Sequence, residues 1–214
     1  NTRTFDVDVS DVRAIGTRHV LSFGGNFRHN TFDISLAPGG DDRNEGGGYL
    51  QDEIFLTDHL RWVIGGRLDK FSSIDGAVFS PRTTLLLKPS NPHTFRVSFN
   101  RAFRAPSYIN NNINTTILNE VNLSAVSPAL ARFVFPLGAV GNPDLKQETM
   151  TAYEVGYTGV VRNRATVSAA VYWNTTDDGI FFTPVAAYGA ANPPPGWPLP
   201  GAVLTLLANR VPPV

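Results

Sequence analysis

Apolar and polar residues alternate along this chain with a period of two. Phe5, Val7 and Val9 are interleaved with Asp6, Asp8 and Ser10, and Leu21, Phe23, Gly25 and Phe27 with Ser22, Gly24, Asn26 and Arg28. The pattern returns at Leu60, Trp62, Ile64 and Leu68, and again at Phe95, Val97, Phe99 and Phe103. It returns twice more, at Tyr153, Val155 and Tyr157 and at Val167, Ala169, Val171 and Trp173. Successive side chains on a strand point to opposite faces, so each run has one apolar and one polar face. No convincing stretch carries the helical period. The alternation predicts strands over roughly 2–10, 18–32, 46–57, 60–70, 78–88, 93–104, 148–161 and 164–177, with a ninth starting near Val203. Most exceed the ~5–6 residues usual in soluble sheets and fit the ~9–11 residues of a tilted strand that crosses a bilayer.

The predicted links alternate in length. Thr57-Asp58-His59, Pro89-Ser90-Asn91-Pro92 and Arg162-Asn163 are tight turns, and Asp11 to Thr17 is a turn of middling length on the same side. The links on the other side, 33–45, 71–77, 105–147 and 178–202, are longer. Short turns on one side and long loops on the other are the habit of outer-membrane barrels. A 43-residue link (105–147) would be odd inside a compact soluble domain and is ordinary on a barrel rim.

Composition sharpens this picture. With 18 Lys+Arg against 18 Asp+Glu in 214 residues, the chain lacks the basic excess of a nucleic-acid binder. Charged residues make up 17%, below the ~25% of soluble domains. Only Lys70, Lys88 and Lys146 are lysines, which argues against a soluble sandwich or propeller with a Lys- and Glu-rich surface. Without cysteine there is no disulfide framework, zinc knuckle or thiol nucleophile. No apolar run approaches the ~18 residues of a membrane helix.

Three segments, taken in order, resemble one family. The first is Tyr49-Leu50-Gln51-Asp52-Glu53, followed by Leu56-Thr57-Asp58-His59-Leu60 and Gly65-Gly66-Arg67-Leu68-Asp69. The second is Phe79-Ser80-Pro81-Arg82 with Arg101-Ala102-Phe103-Arg104-Ala105-Pro106-Ser107. The third is Gly141-Asn142-Pro143-Asp144-Leu145-Lys146-Gln147-Glu148-Thr149 with Tyr153-Glu154-Val155-Gly156-Tyr157. Together, over roughly 46–182, they resemble the barrel motifs of TonB-dependent outer-membrane receptors, with Gln147 where that family usually has Pro. The residues also carry physical readings of their own. Asn142 to Asp144 favours a turn that ends the long loop, Pro106 ends a strand, and Gly65-Gly66 permits close backbone approach. Arg101 shares the parity of Phe99 and Phe103, so it either lies in the headgroup zone or follows a bulge.

The expected fold is an all-β, antiparallel up-and-down meander, a partial wall of about eight or nine strands of a large transmembrane barrel spanning 1–214. The resemblance implies an outer-membrane receptor of a Gram-negative-type bacterium. It would import a scarce solute such as an iron–siderophore complex, cobalamin or a glycan through energy-coupled, TonB-dependent passage. Its implied partners are outer-membrane lipid, its own plug domain, the TonB energy-coupling complex reached through the N-terminus, and the small-molecule or glycan substrate. No enzyme activity, nucleic-acid partner or cofactor is implied. Plug domain, TonB box, signal peptide and C-terminal strands are not legible here, and Arg210-Val211-Pro212-Pro213-Val214 lacks the terminal aromatic of a last barrel strand. The expectation is therefore an internal piece that aggregates in water on its own. The rival reading is a self-contained eight-stranded outer-membrane barrel with a structural or adhesive role.

Candidate site residues fall into two groups. Arg67, Asp69, Arg82, Arg96, Arg104 and Glu154, with Arg61 and Glu148, lie on the polar face, where they either contact plug or anionic solute or pair with one another across strands. Tyr108, Phe133, Phe135, Tyr188 and Trp197 sit in the long loops, as exposed ligand contacts or packed on the loop itself. Asp41, Asp42, Asn44 and Glu45 form an acidic Gly-rich loop in which a calcium reading ranks below a solvated tip. His19, His29, His59 and His93 are scattered without metal-ligand spacing, and no catalytic motif is present.

Overall fold

A computed structural model describes residues 1–207 of the chain. Its strands are β1 (Thr2–Ile15), β2 (His19–Phe32), β3 (Arg43–Thr57), β4 (Leu60–Phe71), β5 (Ala77–Ser90), β6 (His93–Arg104), β7 (Asn114–Val121), β8 (Phe133–Val140), β9 (Glu148–Val161) and β10 (Ala165–Asp177). Two short helices, α1 (Tyr108–Asn112) and α2 (Ala202–Leu207), complete the elements together with a 3-10 turn at Pro128–Leu130. Eight strands form one antiparallel sheet in the order β1-β2-β3-β4-β5-β6-β9-β10, and β7 pairs with β8 separately. The chain divides into two compact units. The first holds Asn1–Ile34, Gly40–Ser107 and Pro143–Ile180; the second holds Ser35–Gly39, Tyr108–Asn142 and the chain from Phe181.

Every predicted strand of the meander is present, and the differences have local causes. The first strand runs on to Ile15, and the turn shrinks to three residues at Gly16, whose φ of 62° favours glycine. Asp11 and Arg13, an ion pair on the otherwise apolar parity, hide that extension from the pattern. The 105–147 link is not structureless: it contains α1 and the β7–β8 hairpin, in which Ile117-Leu118 and Phe133-Val134-Phe135 are apolar on both faces and so show no alternation. The ninth strand expected near Val203 is instead α2, because Leu204 and Leu207 are both buried at helical spacing within only six residues. The Arg210–Val214 segment lies outside the described residues.

The ladders hold one parity across the whole sheet. Val7 pairs with Phe27, Phe23 with Leu50, Leu50 with Gly66, Leu68 with Phe79, Leu85 with Val97, Val97 with Val155, and Val155 with Val171. One face is therefore apolar from edge to edge. Register shifts are confined to Phe55/Thr57 and Leu87/Ser90, beside tight turns. At the third turn Arg162 and Asn163 both take positive φ, the twist a tight hairpin needs. A side chain at Gly65 would meet the Leu50 carbonyl at 2.7 Å and Gln51 Cα at 2.9 Å, so close approach of two backbones is what this position requires.

Among the described residues the apolar face is exposed. Trp173 is 73% exposed, Val171 77% and Val97 54%. Among the described residues the cluster of buried hydrophobic side chains, Leu123, Leu130, Phe135, Leu204 and Leu207, belongs to the second unit.

Candidate functional site

The opposite face of the sheet gathers the charged residues. Register alignment sets Asp6 beside Arg28, Arg67 beside Tyr49, Glu154 beside Ser98, and Arg104 beside Glu148. Cross-strand pairing follows from these placements. Arg28 Nη2 donates to Asp6 at 2.6 Å, Arg61 Nη1 to Glu53 at 3.2 Å, and Arg104 Nη2 to Glu148 Oε2 at 2.8 Å. Arg96 pairs with Glu154. Within β4, Arg67 Nε donates to both carboxylate oxygens of Asp69 at 2.8 and 2.9 Å, and across the sheet Arg67 also donates to Asn26. Asp69 is buried to 5% exposure, and only the absence of a side chain at Gly47 makes room for it and Arg67.

Two clefts of about 420 Å³ each open on this part of the first unit. Asn26, Arg28, Glu45, Arg67, Asp69 and Ser80 line the first. Tyr49, Arg67, Ser80, Arg82, Asn100 and Arg101 line the second. The sheet brings Arg67, Asp69 and Arg82 together there. Arg96 and Glu154 stand elsewhere on the face, with Arg96 on a third cleft beside Thr94, Gly156 and Ser168. Arg104 is held at the loop end of β6, where Glu148 also accepts from Ile180 N at 3.2 Å and so ties three chain segments together. Arg82 is the predicted face residue without an ion pair among the described residues. The arrangement suits docking of a polar or anionic surface. It contains no nucleophile–base pair, and among the described residues no three His, Asp or Glu side chains cluster for a metal ion.

The loop aromatics are packed. In the second unit, Phe133 stacks edge-on against Phe135 (5.0 Å) and Trp197 (5.1 Å), and Tyr188 donates to the Pro136 carbonyl at 2.5 Å. Phe133, Tyr188 and Trp197 are half-buried. Of the two readings, exposed ligand contact or packing on the loop itself, Tyr108 and Phe135 follow the second: Tyr108 is 6% exposed with its hydroxyl on the Ala37 carbonyl at 3.0 Å, and Phe135 is 2% exposed, so neither is the exposed contact the first reading needs. A loop with its own hydrophobic core buries its aromatics first.

Sequence reasoning missed two arginines. Arg43, 8% exposed, donates to the carbonyls of Pro106 (2.8 Å) and Ser107 (3.3 Å), so it pins the point where the chain leaves β6. Nothing in alternation marks it. Arg101 was noted only as a parity anomaly. The β6–β9 register runs unbroken through Arg101↔Thr151, so no bulge flips it, while the β5–β6 ladder ends at Arg82↔Asn100, just before it.

Across residues 1–206 the sequence matches the family described as TonB dependent receptor-like, beta-barrel. Among solved structures, the siderophore receptor PirA from Pseudomonas aeruginosa has a TM-score of 0.67 and 19% identity over 82% of this chain and 32% of its own. PirA from Acinetobacter baumannii has a TM-score of 0.61 and 20% identity, over 83% of this chain and 27% of its own. A mutant ferric enterobactin receptor from Pseudomonas aeruginosa, in complex with enterobactin, has a TM-score of 0.62 and 16% identity, over 82% and 27%. At such identities the likeness is one of fold. No curated protein matches the sequence. The chain spans about a third or less of the length of these solved structures.

Proposed function

This chain belongs to the family of TonB-dependent receptor-like β-barrels, and from that premise we propose that its sheet is part of the wall of an outer-membrane receptor that imports a scarce solute. Receptors of this family are transporters, not enzymes, and are outer-membrane proteins of Gram-negative bacteria. The chain would contribute wall and loops. The polar face would meet the receptor's plug domain and the passing solute, and energy would come from the TonB complex. The observation that carries this reading is the sheet's exposed apolar face, edge to edge, opposite a face of cross-strand ion pairs. A surface of that extent is stable in hydrocarbon and not in water. Solutes to consider are iron–siderophore complexes, cobalamin and glycans. The solved structures named above are siderophore receptors, so ferric siderophores come first in the test.

The test is radiolabelled uptake in a host with the encoding gene deleted and restored, with and without a functional TonB. Uptake of one solute that needs both the gene and TonB is the expected result. Uptake of siderophores, cobalamin and glycans that is indifferent to the gene would sink the transport reading. The rival small closed barrel fits the eight strands by number, but β1 and β10 stand as the two edges of the sheet among the described residues. Heat-modifiable gel migration of the isolated chain separates the two: a closed barrel runs compactly before boiling, and an open wall does not.

A further inference from the structure

Inside the sheet one ladder stops early. β4 pairs with β5 as far as Lys70↔Ala77, and β6 pairs with β9 as far as Arg104↔Glu148, both at the loop end. Between them, the β5–β6 ladder ends at Arg82↔Asn100. The next pair in that register would set Pro81 opposite Arg101. Proline has no N–H to give, and in a sheet it sits where its nitrogen faces an open side. Residues 77–81 of β5 and 101–104 of β6 are each paired on their outer side and not with each other. The wall forks here and has two internal edges. Alternate residues of such an edge turn backbone N–H and C=O groups toward the gap. The root of the fork holds cations. Arg101 lines both of the clefts of about 420 Å³, and the second of them carries Arg67, Arg82 and Arg101 with no carboxylate. Arg67 is engaged by Asp69, whereas Arg82 and Arg101 form no ion pair among the described residues. Toward the mouth, Phe71 of β4 meets Phe103 of β6 edge-on with ring centroids 5.5 Å apart, and both line the first cleft. Arg101 and Phe103 are two residues apart on β6 and so share a side of that strand.

We propose that this fork is a strand-addition site, filled in the assembled receptor by an extended segment of that receptor from outside this chain. The segment lays its backbone along the free edge of β6 and carries an Asp or Glu two residues from an apolar side chain. The inference rests on the proposed wall reading, in which the polar face meets the plug domain. Strand addition supplies backbone hydrogen bonds, and side chains at alternate positions give it specificity. A carboxylate at the root accepts paired hydrogen bonds from the guanidinium groups of Arg82 and Arg101. The apolar residue, two positions along, packs on the Phe71–Phe103 pair. β5 contributes less to the added ladder, because Pro81 offers a carbonyl and no donor at the root. A free anionic solute would satisfy the two arginines and leave both strand edges open, and that favours a polypeptide.

Photo-crosslinking tests this in outer membranes that hold the whole receptor containing the chain. The probe is p-benzoylphenylalanine in place of Ala102, which lines both clefts. Mass spectrometry should find one dominant cross-link, to a segment of the same receptor with the acid and the apolar residue two positions apart. R82Q/R101Q should lower its yield several-fold in heat-modifiable protein, and R82K/R101K should retain most of it. The same probe at Thr94, on the third cleft, should not reach that segment. Amide exchange should quicken across 101–104 in R82Q/R101Q and stay slow across 95–99. No cross-link within the receptor, cross-links only to lipid or to a different protein, or a yield indifferent to R82Q/R101Q would overturn the proposal. Wild-type receptor that is absent from the outer membrane would overturn the wall reading beneath it, and membrane fractionation gives that result without any cross-link.

Discussion

Asp69 is the buried carboxylate on which the polar face turns. Its charge is held by the Arg67 fork, and Gly47 leaves the space. Substituting Arg67→Gln leaves that carboxylate with weaker partners, at an expected cost of about 1–3 kcal/mol. Arg67 is itself about a third exposed, and solvent screening places the effect toward the lower end. Urea unfolding in detergent micelles is the measurement, and Asp69→Asn in the same background should recover part of the loss. On the other face, Val171→Arg tests which solvent the wall meets. Val171 is 77% exposed, so in water the exchange would be harmless. In the middle of a bilayer it should cost ~2–4 kcal/mol. Outer-membrane assembly of the variant at wild-type yield would show that this face does not lie in hydrocarbon.

The hairpin β7–β8 and α2 behave as an element of their own. Leu130 is fully buried and Phe135 nearly so, in a cluster to which Leu204 and Leu207 contribute from more than sixty residues away in sequence. Phe135→Ala should cost about 3–5 kcal/mol of this unit's stability. Hydrogen exchange should then rise across 114–140 and 202–207 while the ladders β1 to β6 keep their protection. The hairpin is also closed by charge: Arg132 donates to Glu120 through Nε at 2.9 Å and through Nη2 at 3.0 Å. That hydrogen bonding, with the attendant charge, holds Glu120 below the usual carboxylate range and Arg132 above its own. A depressed carboxylate stabilises the fold above its ordinary value and stops doing so as pH falls through the lowered one. Carboxyl NMR titration should place the Glu120 midpoint below that of the R132Q variant, and equal midpoints would remove the pair from the account.

At the scale of the molecule, two kinds of stabilisation are divided between two units. The sheet is held by backbone ladders and cross-strand pairs and presents its hydrophobic side chains outward, whereas the second unit encloses a small buried cluster of its own. In detergent the sheet should keep its strand signal by circular dichroism, and on transfer to water it should precipitate. A chain that stayed monomeric in water would contradict the exposed apolar face. The strands and their facing were legible in the sequence because period two survives wherever one face must be apolar and the other polar. The family resemblance was legible too, since Tyr49–Glu53, Phe79–Arg82 and Gly141–Thr149 are turn- and strand-defining segments whose chemistry is local. What alternation could not show was anything decided by contact at long range. The burial of Tyr108 and Phe135 depends on the packing of their own unit, Arg43 finds its partners over sixty residues away, and Asp69 finds its space at Gly47 on the neighbouring strand. The sequence by itself determined the strands, their two faces and the solvent each face requires, because those follow from a residue and its nearest neighbours. Only the tertiary structure decided which arginines are paired and which aromatics are covered, because each depends on groups that the ladder order and packing bring from distant points in the chain.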